Sequence, residues 1–231
     1  MARLARLSVA DHAHLVLLRG HSGRVVFRDD IDRTTFLSAL QTACSLERVA
    51  MHAYALLPDR VWLLCTPASA QAVGRAMQAL GRRFSATLNR RHQRSGSVWD
   101  GRYRATVVEN GPPLLEAMVF VDQAPVRAGL ATTALSATWS SARQHAGIGA
   151  EFPLTDAAAY WALGNTPFDR CAAYRALLEE PLHQPRATYL DGAAQRGWAV
   201  GSPIFLEALR LVSVRPVTPL PRGRPRRRAS E

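Results

Sequence analysis

Two apolar runs, His52 to Leu57 and Arg60 to Cys65, are separated only by Pro58-Asp59. That break predicts a strand pair over 50–57 and 60–66, joined by a tight turn. Side chains alternate faces along a strand, so Arg60 and Trp62 share one face and Val61 takes the other. Upstream, the run from His12 to Arg19 predicts a first strand, followed by a turn at Gly20 to Gly23. Asp29, Asp30 and Asp32 then supply a cap and first-turn acids. Phe36, Leu37, Leu40 and Cys44 recur at helical spacing, which predicts a helix over about 30–48. A second helix is expected over 71–92, where Val73, Ala76, Met77, Leu80, Phe84 and Leu88 form one apolar stripe. Arg75, Arg82, Arg83 and Arg90 fall largely on its opposite side. Residues 102–109 alternate like a fourth strand, and a third helix over 113–123 opens at Pro112-Pro113 and stops at Ala124-Pro125.

The resulting order, β-α-β-β-α-β plus a helix, is the ferredoxin-like split βαβ arrangement. It implies an α+β fold whose antiparallel sheet carries helices on one face. The expected division is a domain over 1–145, a small helical C-terminal region over 146–213 and a disordered Arg/Pro tail over 214–231. Helices in the C-terminal region are expected at 156–163, 169–180 and 203–212.

The chain has 231 residues, 48% apolar and 20% charged, enough to bury a sizeable core. No apolar run approaches the ~18 residues that would predict a membrane span. The basic start at Met1 lacks a following apolar segment, so no signal peptide is expected. Cys44, Cys65 and Cys171 lie far apart, which predicts three buried thiols in a reducing cytoplasm rather than a zinc site or disulfide framework. The formal charge is +11, and every one of the 29 basic residues is arginine. A planar fork of donors suits phosphate oxygens and guanine edges, so nucleic acid is the expected partner.

The charge is unevenly placed. Eight arginines and one acid, Asp100, lie between Arg75 and Arg104. The run from Asn89 to Arg104 interleaves Arg90, Arg91 and Arg102 with Trp99, Tyr103 and two glycines, Gly96 and Gly101. Such a mixture can hold phosphates while a ring stacks on an unpaired base. Trp99 is open to a second reading, as a core anchor. Arg222-Gly223-Arg224-Pro225 in the tail is similar to the core of an AT-hook, and fits a nonspecific polybasic segment equally well.

Several segments occur in the order of a known family. They are Phe27-Arg28-Asp29-Asp30, His52-Ala53-Tyr54, Leu57-Pro58-Asp59-Arg60-Val61-Trp62-Leu63-Leu64, Asn89-Arg90-Arg91-His92, Trp99-Asp100-Gly101-Arg102-Tyr103-Arg104, Ala124-Pro125-Val126-Arg127-Ala128-Gly129-Leu130, Trp139-Ser140-Ser141 and Arg196-Gly197-Trp198. Together they resemble the REP-associated tyrosine transposases, of the single-tyrosine HUH class. The resemblance implies a ferredoxin-like domain that binds single-stranded DNA and hairpins, often as a homodimer. It also implies a tyrosine nucleophile and a divalent ion, usually magnesium, held by two histidines and one polar residue.

All four chemical positions depart from that pattern. Where the family reads Met-Pro-Asn-His-x-His-Leu, this chain reads Leu57-Pro58-Asp59-Arg60-Val61-Trp62-Leu63, so the ligand positions are Arg60 and Trp62. The nucleophile position is Phe120 and the polar helper position is Ala124. A phenyl ring has no attacking oxygen, alanine offers no lone pair, and a permanently protonated Arg60 repels a cation. No metal or other cofactor is therefore expected. The expectation is a nucleoid-associated binder of hairpin or single-stranded DNA without strand cleavage. Its contacts would be Arg60, Trp62, Arg82, Arg83, Arg90, Arg91, Arg102, Arg104 and Arg127, with Arg222 and Arg224 from the tail. Two other readings stay open: a nickase using a relocated nucleophile, with His14, His52, Asp122 and Gln123 as the nearby groups, and a protein-interaction module on the same fold.

Overall fold

The structure, a computed structural model, describes residues 6–149 and 152–219. β1 (Ala13–Arg19) leads through a turn into α1 (Asp30–Glu47). The Asp29 carboxylate caps that helix by accepting the Asp32 N–H at 3.1 Å, and Arg48 ends it in the left-handed region at φ 52°. β2 (Val49–Leu57) and β3 (Arg60–Pro67) form the hairpin expected across Pro58-Asp59. α2 (Ala72–Arg91), β4 (Arg104–Val108), α3 (Pro112–Asp122) and the single turn α4 (Ala124–Arg127) complete the split βαβ frame. Beyond it lie α5 (Ala142–His145), α6 (Ala158–Trp161), α7 (Pro167–Glu179), α8 (Gln184–Arg196) and α9 (Pro203–Val212).

The sheet runs β2-β3-β1-β4 with every pair antiparallel. Period-two alternation sends Val16, Leu18, Val61 and Leu63 to one face, where α1 and α2 cover them. Phe36 and Phe84 meet edge to face there, with ring centroids 5.1 Å apart. Leu15, Leu17, Ala53, Ala55, Trp62 and Leu64 point to the other face.

That second face corrects the expectation of helices on one side only. α3 lies on it together with residues of α7 and α8, so Tyr174, Leu190 and Ala193 share one continuous core with the strands. The reason is physical: every β2 and β3 position from Met51 to Leu57 and from Val61 to Cys65 is apolar or buried, so neither face tolerates water. α8 was not expected at all. It carries Pro185 at its start and ends at Gly197 with φ 72°, a Pro-to-Gly signature obscured by an internal Gly192 and a weak apolar stripe. The expected disorder from 214 onward is also too early. Val217 is buried, and Arg215 donates to the Gly197 carbonyl at 2.9 Å while lying over the Trp198 ring. Arg222 and Arg224 lie outside the described residues. No helix among the described residues is long and apolar enough to cross a membrane.

One polar node lies inside the second core. Asp122, fully buried, accepts from Ser141 Oγ at 2.5 Å, from Tyr174 OH at 2.7 Å and from His145 Nδ1 at 2.7 Å. His145 Nε2 faces the His52 carbonyl at 2.8 Å. Both ring nitrogens thus meet acceptors, so both must carry protons and the imidazole is an imidazolium. Burial opposes that charge, but Asp122 outweighs it and holds the His145 pKa above its ordinary value. A raised folded-state pKa contributes stability that is complete below the unfolded value, about 6.5, and is lost as pH rises through the folded one. Asp122→Asn should therefore lower unfolding free energy by about 3–5 kcal/mol at neutral pH. It should also flatten the decline of stability on the alkaline side, both read from denaturant melts across pH.

Candidate functional site

The four positions that depart from the transposase pattern come together. Arg60 and Trp62 lie on one face of β3, and α3 brings Phe120 across them, with Ala124 at the next turn. The Trp62 and Phe120 rings meet edge to face at 4.9 Å and 84°. All three apolar groups are buried, with Trp62 3%, Phe120 2% and Ala124 3% exposed. A cleft of about 540 Å³ opens beside them, walled also by Asp59, Arg127 and, from α8, Asp191.

The donor set of this cleft does not fit a divalent ion. Trp62 and Ala124 offer no lone pair, Phe120 has no hydroxyl, and Arg60 is a cation. The Asp59 carboxylate is already engaged by Arg60 in a two-pronged pair, Nη2 to Oδ2 at 2.8 Å and Nε to Oδ1 at 3.0 Å. Arg127 donates to the Phe120 carbonyl at 2.5 Å, and its guanidinium lies 4.0 Å from that ring's centroid. Burial brings Arg127 down to about 10, still cationic at neutral pH. Two carboxylates and two guanidinium groups thus nearly balance within the cleft. Chemically it can hold a polar strand at its rim.

Trp62 is the clear correction among the expected contacts. Sequence alternation places it beside Arg60, but the ring is enclosed by Phe120 and cannot stack on a base. It fills space between β3 and α3 as part of the core. The groups named for a relocated site are each engaged elsewhere. β3 lies between β1, which bears His14, and β2, which bears His52. His52 bonds the Thr155 carbonyl and the Thr66 hydroxyl, each at 2.8 Å. Asp122 belongs to the buried node, and Gln123 ties the carbonyls of Leu178 and Glu180 and the Leu182 N–H.

The expected arginines do not form one surface. Arg91 pairs with Asp29 at 2.6 Å and with Asp32, so it closes the end of α2 against α1. Arg83 faces a groove between α1 and α2 beside Ser38 and Thr87, while its neighbour Arg82 faces the opposite side with Arg102. Arg90 is exposed near the helix end. Arg104 donates to the Gln195 carbonyl at 3.1 Å.

Sequence reasoning missed the partners of Arg82, Arg102 and Arg104. Arg6 lies 3.8 Å over the Tyr103 ring, Arg19 sits opposite Arg60 in strand register, and Arg196 ends α8. Two further clefts, about 480 and 330 Å³, share Arg6 and residues 100–103 and extend from Arg19 and Arg82 to Arg104 and Arg196. Their lining comes from separate elements, so no sequence window contains it. The only available signal was the pairing of an end-of-strand Arg19 with Arg60.

A solved REP-associated tyrosine transposase bound to a REP hairpin superposes on 69% of this chain and 96% of its own, with a TM-score of 0.52 at 12% identity. The fold is that of a REP-associated tyrosine transposase. A candidate transposase from Deinococcus radiodurans R1 is also similar, covering 56% of this chain and 92% of its own at 17% identity and a TM-score of 0.37. No family model and no curated protein matches the sequence.

Because Trp62 is packed rather than presented, Trp62→Ala should destabilise the fold by about 3–5 kcal/mol in a denaturant melt. Any binding to an oligonucleotide, measured where the variant is fully folded, should be unchanged. A weakened complex with unchanged stability would restore the stacking role.

Proposed function

We propose that this protein binds hairpin or single-stranded DNA as a transposase-like binder that has lost strand cleavage. The fold match rests on a transposase whose solved structure holds a REP hairpin. The observation that carries the reading is the buried Trp62–Phe120 contact at the position of the chemistry, 4.9 Å between centroids, beside an arginine-lined path. The positions of a nucleophilic oxygen and of metal donors hold a phenyl ring, a methyl group, an indole and a guanidinium, none with a lone pair to offer, and further cations line the path.

The path runs round the open end of β1 and β3. Arg60 and Arg19 stand opposite each other at that end, Arg82 and Arg102 continue from Arg19, and Arg104 and Arg196 follow along α8. Phosphate contacts of this kind position a strand and add affinity without reading sequence. Arg60 remains usable there despite Asp59, because a half-exposed ion pair is worth little against a phosphate. Arg91 is the weakest of the expected contacts, since it already serves two carboxylates.

Two experiments test the reading. Arg104→Gln with Arg196→Gln should weaken binding to a hairpin oligonucleotide and lower the slope of log affinity against log salt by about two. An unchanged slope would remove this path from the interface. Separately, a labelled oligonucleotide with magnesium or manganese should yield no covalent adduct with the parent protein. Phe120→Tyr alone should also yield none, whereas Arg60→His, Trp62→His, Phe120→Tyr and Ala124→Asn together would restore a first set of groups for nicking. An adduct formed by the parent would overturn the loss of cleavage.

A further inference from the structure

The cleft of about 480 Å³ between α2, β1 and residues 99–103 has a feature the rest of the path lacks. Trp99 is only 8% exposed, packed against Phe36 and Phe84 at 6.0 and 5.8 Å between centroids, yet its Nε1 donor has no partner. Arg19, which lines the same cleft, also has its Nε buried without a partner. A buried donor left unpaired is costly, and its presence calls for an acceptor. Two such donors among the residues lining one cleft call for an acceptor with several oxygens.

The surrounding charges point the same way. Arg6, Arg82 and Arg102 line the cleft with Arg19, and none of the ion pairs among the described residues engages Arg19, Arg82 or Arg102. Burial, reinforced by nearby Arg102, pulls the Arg6 guanidinium below its usual value despite Tyr103. Asp100, exposed at the rim, is the one acid. On the opposite wall α2 presents Gly74 and Gly81, two turns apart, and a Cβ at Gly81 would meet nothing within 4 Å. Glycine inside a helix is unfavourable, so a bare wall at Gly81 leaves room without any packing need for it.

We infer that this cleft is a seat for one phosphate group of a nucleic-acid strand, with Arg82 and Arg102 as its charge contacts and Trp99 Nε1 and Arg19 Nε as its fixed donors. This deepens the DNA-binding reading and rests on it for the source of the phosphate. A tetrahedral oxyanion offers oxygens to both orphaned donors at once and neutralises guanidinium groups that line one cleft.

The test uses the full chain. Inorganic phosphate, at ionic strength matched with chloride, should raise the melting midpoint by about 3–6 °C at ten times its dissociation constant. The rise should vanish in Arg82→Gln with Arg102→Gln, and shrink in Trp99→Phe, which keeps the packed ring and removes only the N–H. Without phosphate, the double variant should melt within a degree or two of the parent, since its side chains have no partners to lose. A second arm compares hairpins with a 5′-phosphate and a 5′-hydroxyl. A preference of about tenfold for the phosphorylated end, lost in the double variant, assigns the seat to a strand terminus. Equal affinities, both reduced in the double variant and competed by phosphate, assign it to an internal phosphodiester. The seat is overturned if phosphate stabilises parent and double variant alike, or neither. Hairpin binding with no phosphate effect would sink the seat alone, while a phosphate effect with no hairpin binding would sink the DNA-binding reading alone.

Discussion

The carboxylate of Asp122 fixes the architecture of the site. It is the last group of α3's buried face, and its three donors come from the 140–145 turn and from α7. His145 in turn bonds the backbone of β2, and Ser141 Oγ accepts the Tyr54 N–H at 2.9 Å. One charged node therefore sets the height of α3 over the sheet, and with it how closely Phe120 approaches β3. A buried pair of this kind contributes little net stability compared with an apolar replacement, but breaking it is expensive. Its physical effect is to hold one register of α3, because a shift along the sheet would strand the carboxylate away from all three donors.

That constraint explains how the frame keeps its shape around an apolar centre. Phe120 and Trp62 meet because α3 is held from behind, on the side away from the cleft. The space between β3 and α3 is filled as a protein interior is. The Trp62 and Phe120 rings meet there in a T-shaped contact, and the Arg127 guanidinium lies over the Phe120 ring. That contact is part of the hydrophobic core. Arg60, at the end of the strand, stayed half in water and found Asp59 in the turn.

How much of this could be read from the chain differs by scale. The split βαβ order was legible because strand alternation and the α2 stripe are local and strongly periodic. The convergence of residues 60, 62, 120 and 124 was legible only through resemblance, since the two segments lie some 60 positions apart. The role of Trp62 was not legible, because alternation gives a face and not what covers it. α8 was missed since its apolar residues are few and its glycine lies mid-helix, yet it supplies a wall to two clefts. The arginine run from 75 to 104 suggested one basic surface. Helical geometry instead divides it, sending adjacent Arg82 and Arg83 about 100° apart and into different grooves.

The division of the arginines has a consequence for how a nucleic acid would lie. Those on the α1 side are largely consumed by acids: Arg75 by Glu47, Arg91 by Asp29 and Asp32, and Arg33 by Asp30. Among the described residues, those near the end of β1 are in no ion pair, apart from Arg60. The net charge of +11 therefore overstates the field on one side of the molecule and understates it on the other. A phosphate backbone is drawn to uncompensated charge, and steering follows the sum of nearby charges more than their count. On that basis a strand would cross the β1–β3 end with its phosphates toward Arg19 and Arg102. The filled Trp62–Phe120 centre would sit under it as a floor, close enough to be covered.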